Sequence, residues 1–135
     1  MTYTNFVIPH NGLHDTLGII FDGVTDDGHS HFHIDTDEKH LNYSGIVHGG
    51  VTYSMMDAAA ATAVRAVEGP GCPIVTRSGS VHYIAAGKGK RISAEGILIQ
   101  SGKSLALADA EVKDESGKLI ARGEFEFFFM RGNRD

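Results

Sequence analysis

The feature that most constrains the fold is a long apolar segment that begins at Gly49 and Gly50 and carries one carboxylate. Between Lys39 and Arg65 the only formally charged side chain is Asp57, and a run of alanines follows it directly. The composition and length of the segment predict a helix of roughly four turns, ending near the glycines and prolines of EGPGCP. A helix that is apolar on all sides has to be buried, so either a sheet curls round it or a second subunit covers part of it.

Strand-like runs flank this helix on both sides. Residues 17–35 read as a hairpin with its turn at residues 25–28, and the alternation in HSHFHID predicts that Phe32 and Ile34 point inward. After the helix, strands are predicted over residues 74–84, 91–100, 104–113 and 119–130. Their connectors are short and rich in glycine, which predicts antiparallel hairpins and a four-stranded meander. The predicted class is α+β, with two strands, one helix and four strands in a single domain over residues 1–135.

Composition excludes several classes of function. A chain of 135 residues that is 41% hydrophobic fits one globular domain. The net charge of -5, with no cluster of basic and aromatic residues, argues against a nucleic acid partner. No apolar run reaches the ~20 residues of a membrane span and the first ten residues do not resemble a signal peptide, so we expect no membrane partner and a cytoplasmic location. Cys72 is the single cysteine, which excludes an intrachain disulfide, and its place in GPGCP indicates a loop thiol rather than a nucleophile.

The glycine pair and Asp57 together suggest a reaction centre. Glycines at a helix start let a ligand oxygen approach free N–H groups at the positive end of the helix dipole, and such donors stabilise an oxyanion. An aspartate inside an apolar helix disfavours folding, so a functional role explains it better. Gly49 and Asp57 lie roughly 12 Å apart along the helix, too far to contact one small reacting centre. If both act on the same bond, Asp57 must come from a second copy, which predicts a symmetric homodimer with two equivalent sites.

The segment NYSGIVHGGVTYSMMD resembles the hotdog-fold acyl-CoA thioesterases, in particular the phenylacetic-acid-degradation (PaaI-like) branch. Asn42, Gly45, His48, Gly49 and Gly50 keep the spacing N-x-x-G-x-x-H-G-G, and Asp57 follows at the distance at which the family carries its acid. VTRSGSVHYIAA is similar to the strand after the helix, and GKSLALADAEVKDESGKLIARGEFEF is similar to the last two strands. The resemblance therefore covers the chain from about residue 17 onward. It implies the hotdog fold, one long central helix wrapped by a curved antiparallel sheet that dimerises.

The resemblance also implies an activity, the hydrolysis of an acyl-CoA thioester to the free acid and coenzyme A. The Gly49 amide would polarise the thioester carbonyl, and Asp57 of the partner subunit would act as general base or as nucleophile. Thr76 stands where relatives carry a serine or threonine that faces the site, and it would orient the water or the carboxylate. Asn42 and His48 would hold the loop and the thiol side of the substrate. Family members assemble as homodimers and as homotetramers built from two dimers.

Coenzyme A is part of the substrate in this interpretation, so no separate cofactor is expected. The residues expected to contact the coenzyme are Gly50, Arg77, Lys88, Lys90 and Arg91; the lysines and Arg91 fall in predicted turns, where their charges can meet phosphates. The acyl group would lie against apolar side chains such as Phe21, Tyr53, Met56 or Phe127. The sequence does not choose between aromatic and aliphatic acyl groups.

Two alternatives remain open for the function. The first is a non-catalytic hotdog module that binds an acyl-CoA or another small ligand, although a binder would gain little from a buried carboxylate. The second is a hotdog enoyl-CoA hydratase, because Asp35 and His40 keep the D-x4-H spacing that those enzymes use for acid and base chemistry. The Asn-Pro pair that precedes the histidine in hydratases is missing.

A row of polar residues in the second predicted strand has the side chains that metal sites use. His29, His31, His33 and Asp35 alternate and therefore share one face of the strand. Neighbouring members of such a row are about 7 Å apart, too far to bind one ion at ~2 Å without ligands from elsewhere. We expect a solvent-facing surface here and no metal.

Overall fold

The computed structural model describes residues 11–130. Within that range two α-helices, one 3-10 turn and six strands follow one another, as α1 (Gly12–Leu17), β1 (Ile20–Thr25), β2 (His29–Asp35), the 3-10 turn (Glu38–His40), α2 (Gly49–Glu68), β3 (Ile74–Tyr83), β4 (Arg91–Ser101), β5 (Leu105–Asp114) and β6 (Leu119–Phe129). The strands form one antiparallel sheet that curves round α2, which confirms the fold expected from the resemblance. The assignment of residues 1–135 to one domain extends beyond the described range and stays a prediction.

The first helix, α1, was not predicted. The side chain of Asn11 accepts hydrogen bonds from the first amides of the helix, and Gly18 ends it with a left-handed φ of 71°. An asparagine cap and a terminal glycine are both readable in the sequence as helix signals, but they enclose only six residues. The apolar periodicity that identifies longer helices is therefore missing, although α1 matters for the candidate site.

The order of the strands in the sheet corrects the predicted meander. The order is β1-β2-β4-β5-β6-β3, so only β4, β5 and β6 form a meander, and β3 pairs with β6 at the far edge of the sheet. The prediction of a β3–β4 hairpin was wrong because the connector over residues 84–90 does not fold back. The amides of Ile84 and Ala85 donate to the carbonyl of Ile120, and the carbonyl of Gly87 accepts from Val47. These bonds tie the connector to β6 and to the loop before α2.

Close packing holds α2 against the concave face of the sheet. Gly96 on β4 lies so near the carbonyl of Ala59 that a Cβ would overlap it, and Ser30 on β2 donates a hydrogen bond to the same carbonyl over 2.6 Å. Small residues on both sides thus set the distance between helix and sheet. Phe32 and Ile34 are buried beneath the helix, which confirms the predicted inward face of β2.

The sheet of one chain does not cover the whole helix. Helix α2 has 20 residues, more than the four turns predicted, and one stripe along it stays partly exposed. The stripe consists of Tyr53, Asp57, Ala61 and Arg65, which recur every fourth residue and so share one face. Strand β3 beside it is a sheet edge whose residues are mostly exposed. Within residues 11–130, no helix is both long enough and apolar enough to span a membrane.

Candidate active site

The first turn of α2 presents one free amide. His48 caps the helix, and its Nδ1 accepts a hydrogen bond from the Gly50 amide over 2.8 Å. The amides of Val51 and Thr52 donate to the His48 carbonyl over 3.0 and 3.3 Å. These bonds leave the Gly49 N–H without an acceptor among residues 11–130. A lone donor at the positive end of a helix dipole is suited to bind a carbonyl oxygen on which negative charge develops.

The loop before α2 is shaped by Asn42. Its side-chain oxygen accepts hydrogen bonds from the amides of Ser44, over 2.9 Å, and Ile46, over 3.4 Å. Gly45 completes the turn with a φ of 78°, a conformation that favours glycine. Asn42 and Gly49 line the same cavity, which has a volume of about 500 Å³. Tyr83 also lines this cavity, and its hydroxyl donates to the Gly49 carbonyl over 2.8 Å.

Asp57 is paired with Thr76. The Thr76 hydroxyl donates a hydrogen bond to Asp57 Oδ1 over 2.8 Å, which links the middle of α2 to the edge strand β3. The pairing of β3 with β6 shifts just after Thr76, at a bulge where the backbone of Arg77 has no opposite residue in the register with β6. Bulges beside a site commonly serve to aim a side chain. Here the bulge follows the residue that contacts the carboxylate.

The surroundings of Asp57 favour its protonated form more than water does. Burial raises the pKa of this carboxyl group, against the opposing effects of the Thr76 hydrogen bond and of the charges of His14 and Arg65. A carboxylate with a raised pKa is a better proton acceptor than an ordinary aspartate. The expectation that Asp57 is buried where water is scarce is met only in part, because the side chain is half-buried rather than enclosed.

Asp57 opens into its own cavity, with a volume of about 520 Å³. Thr76, Arg65 and Phe127 contribute to its wall. So does His14 from α1, which sequence analysis missed because α1 itself was not predicted. Burial lowers the pKa of His14, while the nearby Asp57 acts in the opposite direction. Of the four residues expected to contact the acyl group, Phe127 lines this cavity. The other three do not line it, namely Phe21, Tyr53 and Met56.

The predicted site residues thus form two groups within one chain. Asp57 and Thr76 lie in one cavity, while Asn42 and Gly49 lie in the other. His48 is exposed at the helix start, where it fixes the Gly50 amide and the direction of the loop. No residue of the described range 11–130 lines both cavities. Each chain therefore carries two half-sites that do not meet within it.

The residues expected to contact coenzyme A are dispersed, and none of the five lines either cavity. On the edge strand β3, the Arg77 guanidinium lies 3.5 Å from Glu126 and stacks 5.1 Å above the ring of Phe128. Arg91 donates to Asp35 over 2.8 Å. The remaining three are exposed, with Gly50 in the first turn of α2 and Lys88 and Lys90 in the connector before β4.

The structure does not place Asp35 and His40 as the hydratase alternative requires. Asp35 is exposed at the end of β2 and bonded to Arg91, whereas His40 is only 1% exposed. Both ring nitrogens of His40 are already engaged, since Nδ1 accepts from the Asp37 amide over 3.0 Å and Nε2 lies 2.6 Å from the Leu17 carbonyl. His40 therefore stabilises the turn before α2, and the structure does not bring it to Asp35.

Potential metal ligands lie away from both cavities. Among the described residues, one cluster has the necessary side chains close together, namely His29, His31 and Glu95 on the outer face of the sheet. None of the three lines the cavity of Gly49 or that of Asp57.

Comparison with known proteins gives consistent results. A family model described as the thioesterase superfamily matches residues 44–121. Acyl-coenzyme A thioesterase 13 from Mus musculus is 33% identical over 89 residues, which is 64% of this chain and 63% of the relative, so the chain matches less than two thirds of that protein.

Two solved structures share the fold closely. The phenylacetic acid degradation protein PaaI from Thermus thermophilus, solved as a point mutant, superposes with a TM-score of 0.79 at 26% identity, covering 89% of this chain and 100% of that chain. A Bacillus halodurans protein solved with coenzyme A superposes with a TM-score of 0.83 at 24% identity, covering 91% and 81% of the two chains.

Proposed function

Because the chain belongs to the thioesterase superfamily, we propose that it hydrolyses an acyl-CoA thioester to the free acid and coenzyme A. The observation that carries the proposal is the pair of half-sites on α2, a free Gly49 amide at its start and a carboxylate at its middle that accepts a hydrogen bond from Thr76. The acyl-CoA thioesterase named above and the relative solved with coenzyme A support the choice of substrate class. The reaction needs no separate cofactor, because coenzyme A is part of the substrate.

The two half-sites form one centre when two chains associate. Gly49 and Asp57 open into different cavities, and the partly exposed stripe of α2 and the edge strand β3 are the surfaces that a second copy would cover. Two antiparallel copies of α2 would bring the N-terminus of one beside the middle of the other. A symmetric homodimer then contains two equivalent sites. The further assembly of two dimers into a tetramer stays a prediction.

In this centre the thioester carbonyl accepts a hydrogen bond from the Gly49 amide, which stabilises the negative charge that develops on its oxygen. Asp57 of the partner subunit either removes a proton from the attacking water or attacks the carbonyl carbon. Direct attack breaks the C–S bond, expels the coenzyme A thiolate and forms a mixed anhydride, which water then hydrolyses to the free acid and Asp57. Thr76, from the same subunit as Asp57, fixes the orientation of the carboxylate. The leaving thiolate is stable enough that no strong acid has to protonate it, and His48 accordingly serves as a helix cap.

The two roles of Asp57 differ in a covalent intermediate. Hydroxylamine that attacks the Asp57 carbonyl of a mixed anhydride displaces the free acid and leaves a hydroxamate on Asp57, whereas general-base catalysis forms no such adduct on the enzyme. Single-turnover reactions quenched in hydroxylamine and analysed by mass spectrometry of the peptide that contains Asp57 therefore distinguish the two routes.

The activity itself is tested by thiol release from a panel of aromatic and aliphatic acyl-CoAs, with the signal of Cys72 subtracted. The native chain should turn over at least one acyl group, and Asp57→Asn should reduce the rate by about 100- to 10,000-fold, the usual contribution of a positioned acid or base. Circular dichroism of the variant verifies that it is folded. Unchanged turnover in Asp57→Asn would contradict the assignment. A folded native protein that binds but hydrolyses no panel member would favour the non-catalytic binding module.

A further inference from the structure

Three polar side chains on the outer face of the sheet converge on one point. His29 and His31 project from the same face of β2, and Glu95 stands directly opposite His31 on the neighbouring strand β4. The distance from His29 Nε2 to Glu95 Oε2 is 2.7 Å, and that from His31 Nδ1 to the same oxygen is 3.8 Å. One donor atom from each of the three residues lies within 4.8 Å of the others.

We propose that His29, His31 and Glu95 bind a Zn²⁺ ion. Ligand bonds of about 2.0–2.1 Å in a tetrahedral site place neighbouring donor atoms roughly 3.3 Å apart. The separations of 2.7 and 3.8 Å bracket that value, so only small rotations of these partly exposed side chains would bring the three donors into place. Two imidazoles and one carboxylate are also a ligand set that proteins use for zinc.

The fourth position of the ion can be taken by water. A cavity of about 190 Å³ adjoins His31 and Glu95, and the side chains of Ser93, Glu111 and Lys113 complete its wall. This volume holds several water molecules, each of which occupies about 30 Å³ in the liquid. The site therefore resembles zinc sites that combine three protein ligands with one open position.

The charge of the surrounding sheet favours a cation at this point. Glu111 on β5 stands directly opposite Glu95, so two carboxylates meet on the same face of the sheet. Like charges in directly opposite positions destabilise a sheet. Lys113 lies 3.8 Å from Glu111 and balances the charge of that carboxylate. A dication would balance the charge of the other carboxylate, Glu95.

The rest of the row on β2 is engaged elsewhere. His33 Nδ1 lies 2.8 Å from the Asp22 carboxylate on β1, and Asp35 accepts a hydrogen bond from Arg91. The spacing along β2 requires a ligand from elsewhere, and for that reason the sequence analysis expected no metal. The second neighbour of β2 in the sheet is β4, which is far away in sequence and supplies Glu95.

The test is isothermal titration of the full chain with Zn²⁺, comparing native protein with the variants His31→Gln and Glu95→Gln. The control is His33→Gln, which removes a histidine from the same face of the same strand outside the cluster. We expect one ion per chain in the native protein and in the control. Each ligand variant should bind at least about 100-fold more weakly, since even the loss of outer-shell partners weakens metal sites 10- to 100-fold.

Thermal unfolding provides a second readout that does not depend on heat of binding. Zn²⁺ should raise the unfolding midpoint of native protein and of His33→Gln, and a chelator should reverse the increase, because the ion joins β2 to β4 in the folded state only. Absence of zinc binding by the native chain would overturn the proposal. Equal binding by native protein and by both ligand variants would also overturn it, because the ion would then occupy other histidines.

Discussion

Gly49 and Asp57 lie on the same helix, about 12 Å apart along its axis, and open into two different cavities. The amide of Gly49 is free to bind an oxygen, and the carboxylate of Asp57 is held by Thr76. Each residue is equipped for one half of a thioester hydrolysis, but the helix keeps them apart. A centre that uses both residues therefore requires two copies of α2, and the predictions below follow from that arrangement.

The role of the Gly49 amide is tested by a matched pair of substitutions. Gly49→Pro removes the N–H but suits the first helical position, and His48 already has the extended φ of -63° and ψ of 136° that precede a proline. Gly49→Ala keeps the N–H and places a Cβ about 3.3 Å from the ring of Tyr83. We expect Gly49→Pro to lower kcat by about 100- to 1,000-fold, the usual effect of losing one oxyanion donor.

Gly49→Ala serves as the control and should retain most of the activity. Steady-state kinetics of both variants on the best acyl-CoA check the prediction. If the two variants lose activity equally, steric contact with Tyr83 rather than the amide explains the loss.

Thr76 should act through Asp57. Thr76→Val keeps the shape of the side chain but removes the hydroxyl that donates to the carboxylate, so we expect an activity loss of about tenfold. That hydrogen bond also lowers the pKa of Asp57, so its loss should move the acidic limb of the pH–rate profile to higher pH. Thr76→Ser keeps the hydroxyl and should leave the limb in place. A pH–rate profile for Thr76→Val that matches the native one would separate Thr76 from the reaction.

Asp57 should lower the stability of the protein at neutral pH. Because burial raises its pKa in the folded state above the unfolded value, ionisation costs stability as pH rises through that interval, and the cost is complete above the folded-state pKa. Asp57→Asn removes the cost, so its unfolding midpoint at pH 7 should exceed that of the native protein by about 3–5 °C. The difference should vanish near about pH 3, where the Asp57 carboxyl group is protonated in the folded and in the unfolded protein. A lower midpoint at pH 7 would contradict this account of Asp57.

The sequence predicted the elements of the fold better than their pairing. Local patterns located α2 and the strands, because alternation and helix ends are properties of neighbouring residues. The position of β3 beside β6 depends on bonds from residues 84–90 to Ile120 and Val47, which no local pattern encodes. The short helix α1 and its His14 were missed for a different reason, since six residues carry little periodicity.

The candidate site was predictable only in part. The glycine pair and the isolated Asp57 were visible because they contradict the folding preferences of an apolar helix. Free amides at the helix start were expected, but which of them His48 engages, and that the Gly49 amide is left free, became known only from the structure. The contacts with coenzyme A, the cytoplasmic location and the absence of a cofactor stay predictions.

The most direct test of the central claim is a hybrid dimer of two inactive variants. Chains carrying Gly49→Pro and Asp57→Asn, each with a different affinity tag, are co-expressed and the doubly tagged dimer is isolated. If Gly49 and Asp57 act across the interface, one site of the hybrid carries both defects while the other is intact. The hybrid should then show about half the native kcat per dimer, whereas each parent dimer stays inactive. An inactive hybrid would place Gly49 and Asp57 of each site in one chain and contradict the shared centre.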